Sequence, residues 1–315
     1  MSWERDPLWA KARLFFERAL NTRREDPAFG LWCSLGLELL ARAALASISP
    51  ALLAEHDREQ KNLLHAIHPQ FQIPQPKSIS ASLVFQLCDK IFPAFTTEDS
   101  KISLALLNRR NEELHSGAAA FDEYDPSKWL AGFYHACQSL CNVLGQTLVD
   151  LFGQDEAAFA ETLRAEDREN LKARVLGAIV EHKGVFDAKT PQDQQNAREQ
   201  AETLAQTLST KRHHRVTCPA CGCGATVQGI PFGKEHVTHE EDEIVVRQSV
   251  SPAEFSCSAC GLHLTTYAAL ETAGLGIPHT RTTRSSPEDY YGLIDPDDLG
   301  SYMDEYIQAQ EYDNE

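Results

Sequence analysis

Two Cys-x-x-Cys pairs constrain this chain more than any other feature of its sequence. "CPAC" supplies Cys218 and Cys221, and "CSAC" supplies Cys257 and Cys260. Each pair lets two thiolates approach one ion, and the glycine directly after each pair permits a tight backbone turn. Four thiolates in a tetrahedron suit a structural zinc ion and leave no open coordination position for catalysis. The spacing therefore predicts one structural zinc ion bound by these four residues.

Other sulfur and nitrogen ligands lie close by in the sequence. "CPACGC" offers a third sulfur, so Cys223 is an alternative to Cys218 or Cys221 as a ligand. "HVTH" places His236 and His239 where they could supply ligands to a second site, although an ordinary loop is the simpler interpretation. These alternatives remain open on the sequence.

The pattern of apolar residues divides the chain into four parts. Residues 1–153 have apolar side chains at three- and four-residue spacings, and their short joins predict an antiparallel helical bundle. Residues 154–212 form a helical connector, whose second helix is polar around most of its circumference and is expected to lie outside the core. Residues 213–280 have Val, Thr and Ile between glycines and resemble a small β-rich zinc ribbon. Residues 281–315 form an acidic tail with the composition of a disordered end. The predicted fold is thus mainly α.

Charge and hydropathy limit the environment of the chain. The formal net charge of −17 argues against broad, non-specific attraction to nucleic acid. The strongest basic run, "KRHHR" at residues 211–215, could contact phosphate or be a solvated linker. The most apolar run carries Glu38 and Arg42 at its centre, which indicates a buried central helix rather than a membrane span. With charges near the N-terminus and clustered cysteines, we predict a cytoplasmic protein with no membrane association.

A short polar motif, "NRRNEELHSG" at residues 108–117, contains the candidate catalytic residues. Asn111 and His115 are four residues apart and share one face of a helix. Arg110 is long enough to reach the same patch. An arginine followed by a histidine at a short gap also occurs at Arg58 and His65, so the spacing alone is weak evidence. An ordinary polar helix end is the competing interpretation.

The combination of helices and motifs resembles a HEPN domain over about residues 5–152. That family has a helical bundle with a Glu-x-x-x-Lys-like pair on an early helix and an Arg-x4–6-His motif on a late one. Glu38 and Arg42 match the first element, with Arg in place of the commoner Lys. Arg110, Asn111 and His115 match the second.

The resemblance implies metal-independent RNA cleavage at a composite site formed by a homodimer. His115 would transfer protons, because its intrinsic pKa range suits neutral pH, and Arg110 would contact the phosphate. Asn111 would orient His115 or the phosphate, and Glu38 would hold Arg110. The implied protein is an RNA endonuclease that leaves 2′,3′-cyclic phosphate ends. Such proteins include toxin and antiphage-defence effectors that cut cellular RNA such as tRNA.

Two further points qualify this expectation. Toxin members silenced by a nucleotidyltransferase often have Tyr two residues after the motif His, where this chain has Gly117, so that partnership is not supported and any regulatory protein partner is unidentified. The alternative function is a non-catalytic dimeric regulator that uses the ribbon to bind nucleic acid or protein. A small-ligand sensor has no specific residue in its favour. The tail contains ten acidic residues from Glu288 onward and could mimic RNA to restrain the site.

Overall fold

The computed structural model describes residues 3–68, 70–240, 242–292 and 303. The chain divides into two compact units, Met1–Glu169 and Asn170–Glu315. The first unit is helical, and the second combines helices with a small antiparallel sheet. This agrees with the predicted mainly α fold with a β-rich region near the C-terminus. The division falls inside the predicted helical connector, so the connector is not a unit by itself.

The first unit is built around one apolar helix. Its helices are α1 (Arg5–Leu20), α2 (Pro27–Ile48), α3 (Lys61–Ile67), α4 (Ala81–Ile91), α5 (Thr97–His115), α6 (Leu130–Leu144), α7 (Leu148–Phe152) and the first part of α8 (Gln154–Asp187). α2 packs against α1, α4, α5 and α6, as expected of a helix that is apolar nearly all round. Asp26 caps its start by accepting from the Ala28 N–H at 2.9 Å.

The core of this unit depends on close approach between α1 and α2. The Phe16 ring lies directly over Gly36, where an added Cβ would come 2.4 Å from a ring carbon. The same ring contacts Phe133 and Phe152 edge-on, at 5.8 and 5.0 Å between centroids.

Among the described helices, α2 alone is long and apolar enough to cross a bilayer, but 56% of its apolar window is buried in the unit. That burial is compatible with a soluble protein.

The apolar spacing of residues 125–153 predicts one long helix that begins at Asp125 or Ser127 and ends at Gly153, and this prediction is wrong. The structure has two, because α6 ends at Gly145, whose φ of 67° is left-handed. α7 then starts at a new cap, where Thr147 and Asp150 form a capping box. The apolar residues continue their periodicity across this break, which is why periodicity alone missed it.

The second unit contains five strands and the remaining helices. They are β1 (His214–Thr217), β2 (Gly224–His239), β3 (Ile244–Ser256), β4 (His263–Leu264), β5 (His279–Ser285), the rest of α8, α9 (Pro191–Ser209), α10 (Tyr267–Thr272) and α11 (Pro287–Tyr291). The strand order is β1-β2-β3-β4, and β5 also pairs with β3. All pairings are antiparallel. β2 and β3 cover the Val-, Thr- and Ile-rich sequence of the predicted β-rich segment.

Three expectations for this unit are wrong in detail. The sequence "HLTTYAAL" at residues 263–270 predicts a strand, but the chain continues beyond Leu264 as α10, because Thr266 caps a helix by accepting from the Ala269 N–H at 3.2 Å. Residues 281–291 do not form a disordered start of the tail, since β5 pairs with β3 and α11 follows it. The rest of the predicted tail lies outside the described residues, apart from residue 303.

The expectation that α9 lies outside the core is the third that is wrong, because Ala201 and Ala205 are buried and α9 packs on β2.

Candidate functional sites

The four predicted cysteine ligands converge in the second unit. Their sulfur atoms all lie within 4.8 Å of one another. Cys218 Sγ is 3.6 Å from Cys260 Sγ, and Cys221 Sγ is 3.6 Å from Cys257 Sγ. Sulfurs at the corners of a tetrahedron, each about 2.3 Å from a central zinc ion, are roughly 3.8 Å apart. The cluster could therefore hold one metal ion with little rearrangement.

The two cysteine turns have the same backbone geometry. In each, the first cysteine N–H donates to the carbonyl five residues later, at 2.9 and 3.0 Å. The glycine after the second cysteine donates back to the first cysteine's carbonyl, at 3.0 and 2.9 Å. Gly222 and Gly261 have φ values of 70° and 79°, which side chains other than glycine rarely adopt. The predicted role of both glycines is thus borne out.

The equal geometry of the two turns explains the position of Cys223, the third cysteine of "CPACGC". Cys223 occupies the place in the first turn that Leu262 occupies in the second, and the two are 4% and 1% exposed. The Cys223 thiol donates to the Cys221 carbonyl at 3.8 Å and is not a member of the four-sulfur cluster. Alignment of "CPACGC" with "CSACGL" would have identified Cys223 as a core residue from the sequence.

Residues from α8 and the loop after it support the second turn, and no sequence motif pointed to them. Lys189 Nζ donates to the Ala259 carbonyl at 2.8 Å. His182 Nδ1 lies 2.7 Å from the Cys260 carbonyl and donates to it. A divalent ion with four thiolates carries a formal charge of −2, so the Lys189 ammonium is a favourable neighbour. The thiol hydrogen bond from Cys257 lowers the pKa of Cys218 to about 5, so one sulfur of the pair readily becomes a thiolate.

A second metal site at the "HVTH" histidines is not present among the described residues. The four-cysteine cluster is the one group of three or more potential ligands found close together in them. His239 Nε2 instead lies 2.9 Å from the Tyr291 hydroxyl of α11. His236 lies opposite Arg247 in the β2–β3 pairing.

In the first unit, the residues of the predicted catalytic motif fall into two groups. Arg110 on α5 forms an ion pair with Glu38 on α2. Arg42 also pairs with Glu38, at 2.8 Å, and donates to the Ser78 Oγ and the Ile79 carbonyl at 3.2 and 2.9 Å. The side chains of Glu38, Arg42 and Arg110 are 16%, 12% and 15% exposed. The expected contact between Glu38 and Arg110 is therefore present, in a largely buried cluster.

The second group is exposed. Asn111 and His115 both face solvent, four residues apart on α5, and His115 is the last residue of the helix. Neither side chain makes a hydrogen bond to another described residue. Because five residues of helix turn the chain by about 140°, Arg110 and His115 point to different sides of α5. A single chain thus brings Arg110 to Glu38 but does not bring it to His115.

The competing Arg58–His65 pair is structural. His65 is 7% exposed and packs edge-on against Trp3, with centroids 5.4 Å apart. Its Nδ1 accepts from the Ile73 N–H at 3.4 Å. His65 is buried and His115 is exposed, and this difference distinguishes the two histidines. The spacing of Arg and His in the sequence could not show it.

The basic run at residues 211–215 is partly paired within the second unit. Arg215 bonds to Glu202 and to Gln206 of α9. The His214 ring stacks on that of His279 at 4.0 Å between centroids. Two residues of the run, His214 and Arg215, are therefore bound within the second unit rather than free to contact phosphate.

No protein-family model, curated protein or solved structure matches this chain. The resemblance to HEPN domains rests on the residues of two short motifs and on the helical unit that contains them.

Proposed function

We propose that this protein is a HEPN-type RNA endonuclease that acts as a homodimer. The observation that carries the proposal is the Glu38–Arg110 ion pair, which joins the two helices that the motifs predicted to be partners. It fixes a guanidinium beside a motif helix whose exposed face displays Asn111 and His115. Two arginines share this one carboxylate, so Arg110 is held in place on the motif helix.

The proposed reaction uses the ribose 2′-hydroxyl of the RNA. Its oxygen attacks the adjacent phosphorus, the bond from phosphorus to the 5′ oxygen breaks, and a 2′,3′-cyclic phosphate and a 5′-hydroxyl result. His115 accepts the 2′-hydroxyl proton, and a second histidine donates a proton to the leaving 5′ oxygen. Arg110 stabilises the negative charge that grows on the phosphoryl oxygens. DNA lacks the attacking hydroxyl and is not cut.

A second copy of the chain completes this site. Within one chain, Arg110 and His115 lie on different sides of α5, so one protomer does not direct both at the same phosphate. Twofold pairing across the exposed face of α5 brings two histidines and two arginines to one strand. In this arrangement Glu38 is a positioning residue, because it touches Arg110 and not the RNA.

We assign zinc to the four-cysteine cluster in a structural role. Four thiolates at tetrahedral spacing, in two turns of equal geometry, suit zinc better than the hard cations that prefer oxygen. The ion would hold together a small β unit with a limited core of its own. It is not part of the cleavage reaction, because a four-thiolate shell leaves no open position.

The cellular setting follows from the activity. A ribonuclease of this kind, active on cellular RNA such as tRNA, would serve as a toxin or antiphage-defence effector in the cytoplasm.

The test is cleavage of purified total RNA in EDTA by the full-length protein and matched variants. Arg110→Ala and His115→Ala should each lower the rate at least 100-fold, consistent with loss of a charge contact or a proton-transfer group. Arg109→Ala and His56→Ala are the controls, since both residues lie in the same unit and neither belongs to the proposed site. Equal cleavage by all five proteins would exclude the proposal.

The second candidate is a non-catalytic regulator that binds nucleic acid through the second unit. One observation favours it, namely a solvent-exposed face of the sheet described below. RNA binding without cleavage by the wild-type protein would select it.

A further inference from the structure

The pairing of β2, β3 and β5 places six side chains on one exposed surface. Phe232, Ser249 and Thr280 are directly opposite one another, and so are His236, Arg247 and Thr282. Opposite residues, and residues two apart along a strand, project from the same face of a sheet. β2 is irregular between Phe232 and His236, so Ser249 and Arg247 of β3 are what link the two rows on one face. We name the surface formed by these six residues the open face.

The open face is solvent-exposed and carries an aromatic ring. All six residues are exposed, and Phe232 is 48% exposed. The alternate residues of β3, Val246, Gln248 and Val250, are half-buried or buried, so the two sides of the strand differ clearly. The ring is therefore accessible to a partner.

The charge of the open face is unlike that of the whole chain. Its six residues include Arg247 and His236 and no Asp or Glu, although the chain has a net charge of −17. The Arg247 side chain makes no ion pair or hydrogen bond with any described residue. In contrast, Arg284, two residues after Thr282 and so in the next row of the same face, is neutralised by Glu240 and Glu243 at 3.1 and 2.7 Å. The unpaired guanidinium indicates an anionic partner.

The spacing of these groups suits a single strand of nucleic acid. Arg247 is the diagonal neighbour of Phe232, at roughly 7–8 Å between Cα atoms, so its side chain reaches a phosphate next to a base on the ring. Three hydroxyl residues lie beside them and can bond to base edges or the ribose. Aromatic stacking with an adjacent cation is how exposed sheets bind unpaired bases. The two rows carry one large apolar side chain, Phe232, and Ile230, two residues before it on β2, is 57% exposed beside them.

We propose that the open face binds single-stranded RNA, with a base stacked on Phe232 and a phosphate held by Arg247. The inference deepens the proposed function, because it names the unpaired region of the substrate as what the second unit holds. It is independent of the cleavage chemistry, since none of the six residues belongs to the Arg110–His115 motif.

The test uses a fluorescein-labelled mixed-sequence 2′-O-methyl RNA of 12 nucleotides, which the proposed reaction cannot cut. Its Kd for the full-length protein is measured by fluorescence anisotropy over a series of salt concentrations. Phe232→Ala should raise Kd about fivefold or more, the effect of one lost base stack. Arg247→Gln should raise Kd and lower the slope of log Kd against log salt by about 0.7, the value for one phosphate contact on a single strand.

Arg284→Gln is the matched control, because it removes a paired arginine from the same sheet and should change neither Kd nor the salt slope. Bound zinc and circular dichroism confirm that the exposed substitutions leave the unit folded. The inference is overturned if wild type does not bind the RNA, or if both open-face variants bind it as tightly as wild type. Failure of the cleavage proposal is visible separately, because the total-RNA assay measures cleavage and the anisotropy assay measures binding alone.

Discussion

At the scale of single residues, Glu38 is the most informative position. It accepts from two guanidinium groups, those of Arg42 and Arg110, in a cluster that is at most 16% exposed. Glu38→Gln leaves both cations facing a neutral amide, so we expect the free energy of unfolding to fall by about 3 kcal/mol. His115→Ala should change it by only about 0.5 kcal/mol or less, because the side chain is exposed. Urea unfolding of both variants measures this contrast, and equal stabilities would contradict the cluster described here.

Cys223 and Cys221 give a second residue-scale prediction, for metal content. Cys223→Ala removes a core sulfur that corresponds to Leu262, so the purified protein should still hold one zinc ion per chain. Cys221→Ala removes a ligand and should lower zinc to well below one ion per chain. Elemental analysis after dialysis distinguishes them. Loss of zinc from Cys223→Ala but not from Cys221→Ala would mean that Cys223 is the ligand and Cys221 is not.

At the scale of secondary-structure elements, the packing of α1 on α2 depends on Gly36. Gly36→Ala places a Cβ against the Phe16 ring, and we expect the free energy of unfolding to fall by about 1–3 kcal/mol, as for other overpacked cores. Adding Phe16→Leu should recover part of that loss, since the smaller side chain leaves room for the added Cβ at position 36. Thermal unfolding of the two single variants and the double variant tests the coupling. Additive losses would place the two residues out of contact.

The elements also show what the sequence can predict. α5 was predictable because apolar spacing and the Thr96 cap agree, and the four cysteines because their spacing has a specific chemical reason. β5 was missed because "HTRTTRS" is polar throughout and has no alternation of apolar residues. Lys189 and His182 could not be found, since their contacts with the second cysteine turn cross about 70 residues of sequence.

At the scale of the whole molecule, the proposed site takes residues from two chains. Arg110→Ala and His115→Ala chains, co-expressed with different tags and purified as a mixed dimer, should regain measurable cleavage of total RNA. The mixed dimer holds one Arg110 and one His115 that can meet at the shared site, with water in place of the second histidine as proton donor, so the regained rate is below that of wild type. Each variant dimer purified alone has only one kind of group and should remain inactive. No gain in the mixed dimer would show that the site is not shared between subunits.

The chemistry of the RNA ends tests the central claim most directly. Wild-type protein is incubated with total RNA in EDTA, and the new ends are identified by their response to phosphatase and to acid opening of cyclic phosphates. The account predicts 2′,3′-cyclic phosphate and 5′-hydroxyl ends, absent with His115→Ala and retained with His56→Ala. New 5′-phosphate ends, or cyclic ends produced equally by His115→Ala, would contradict it.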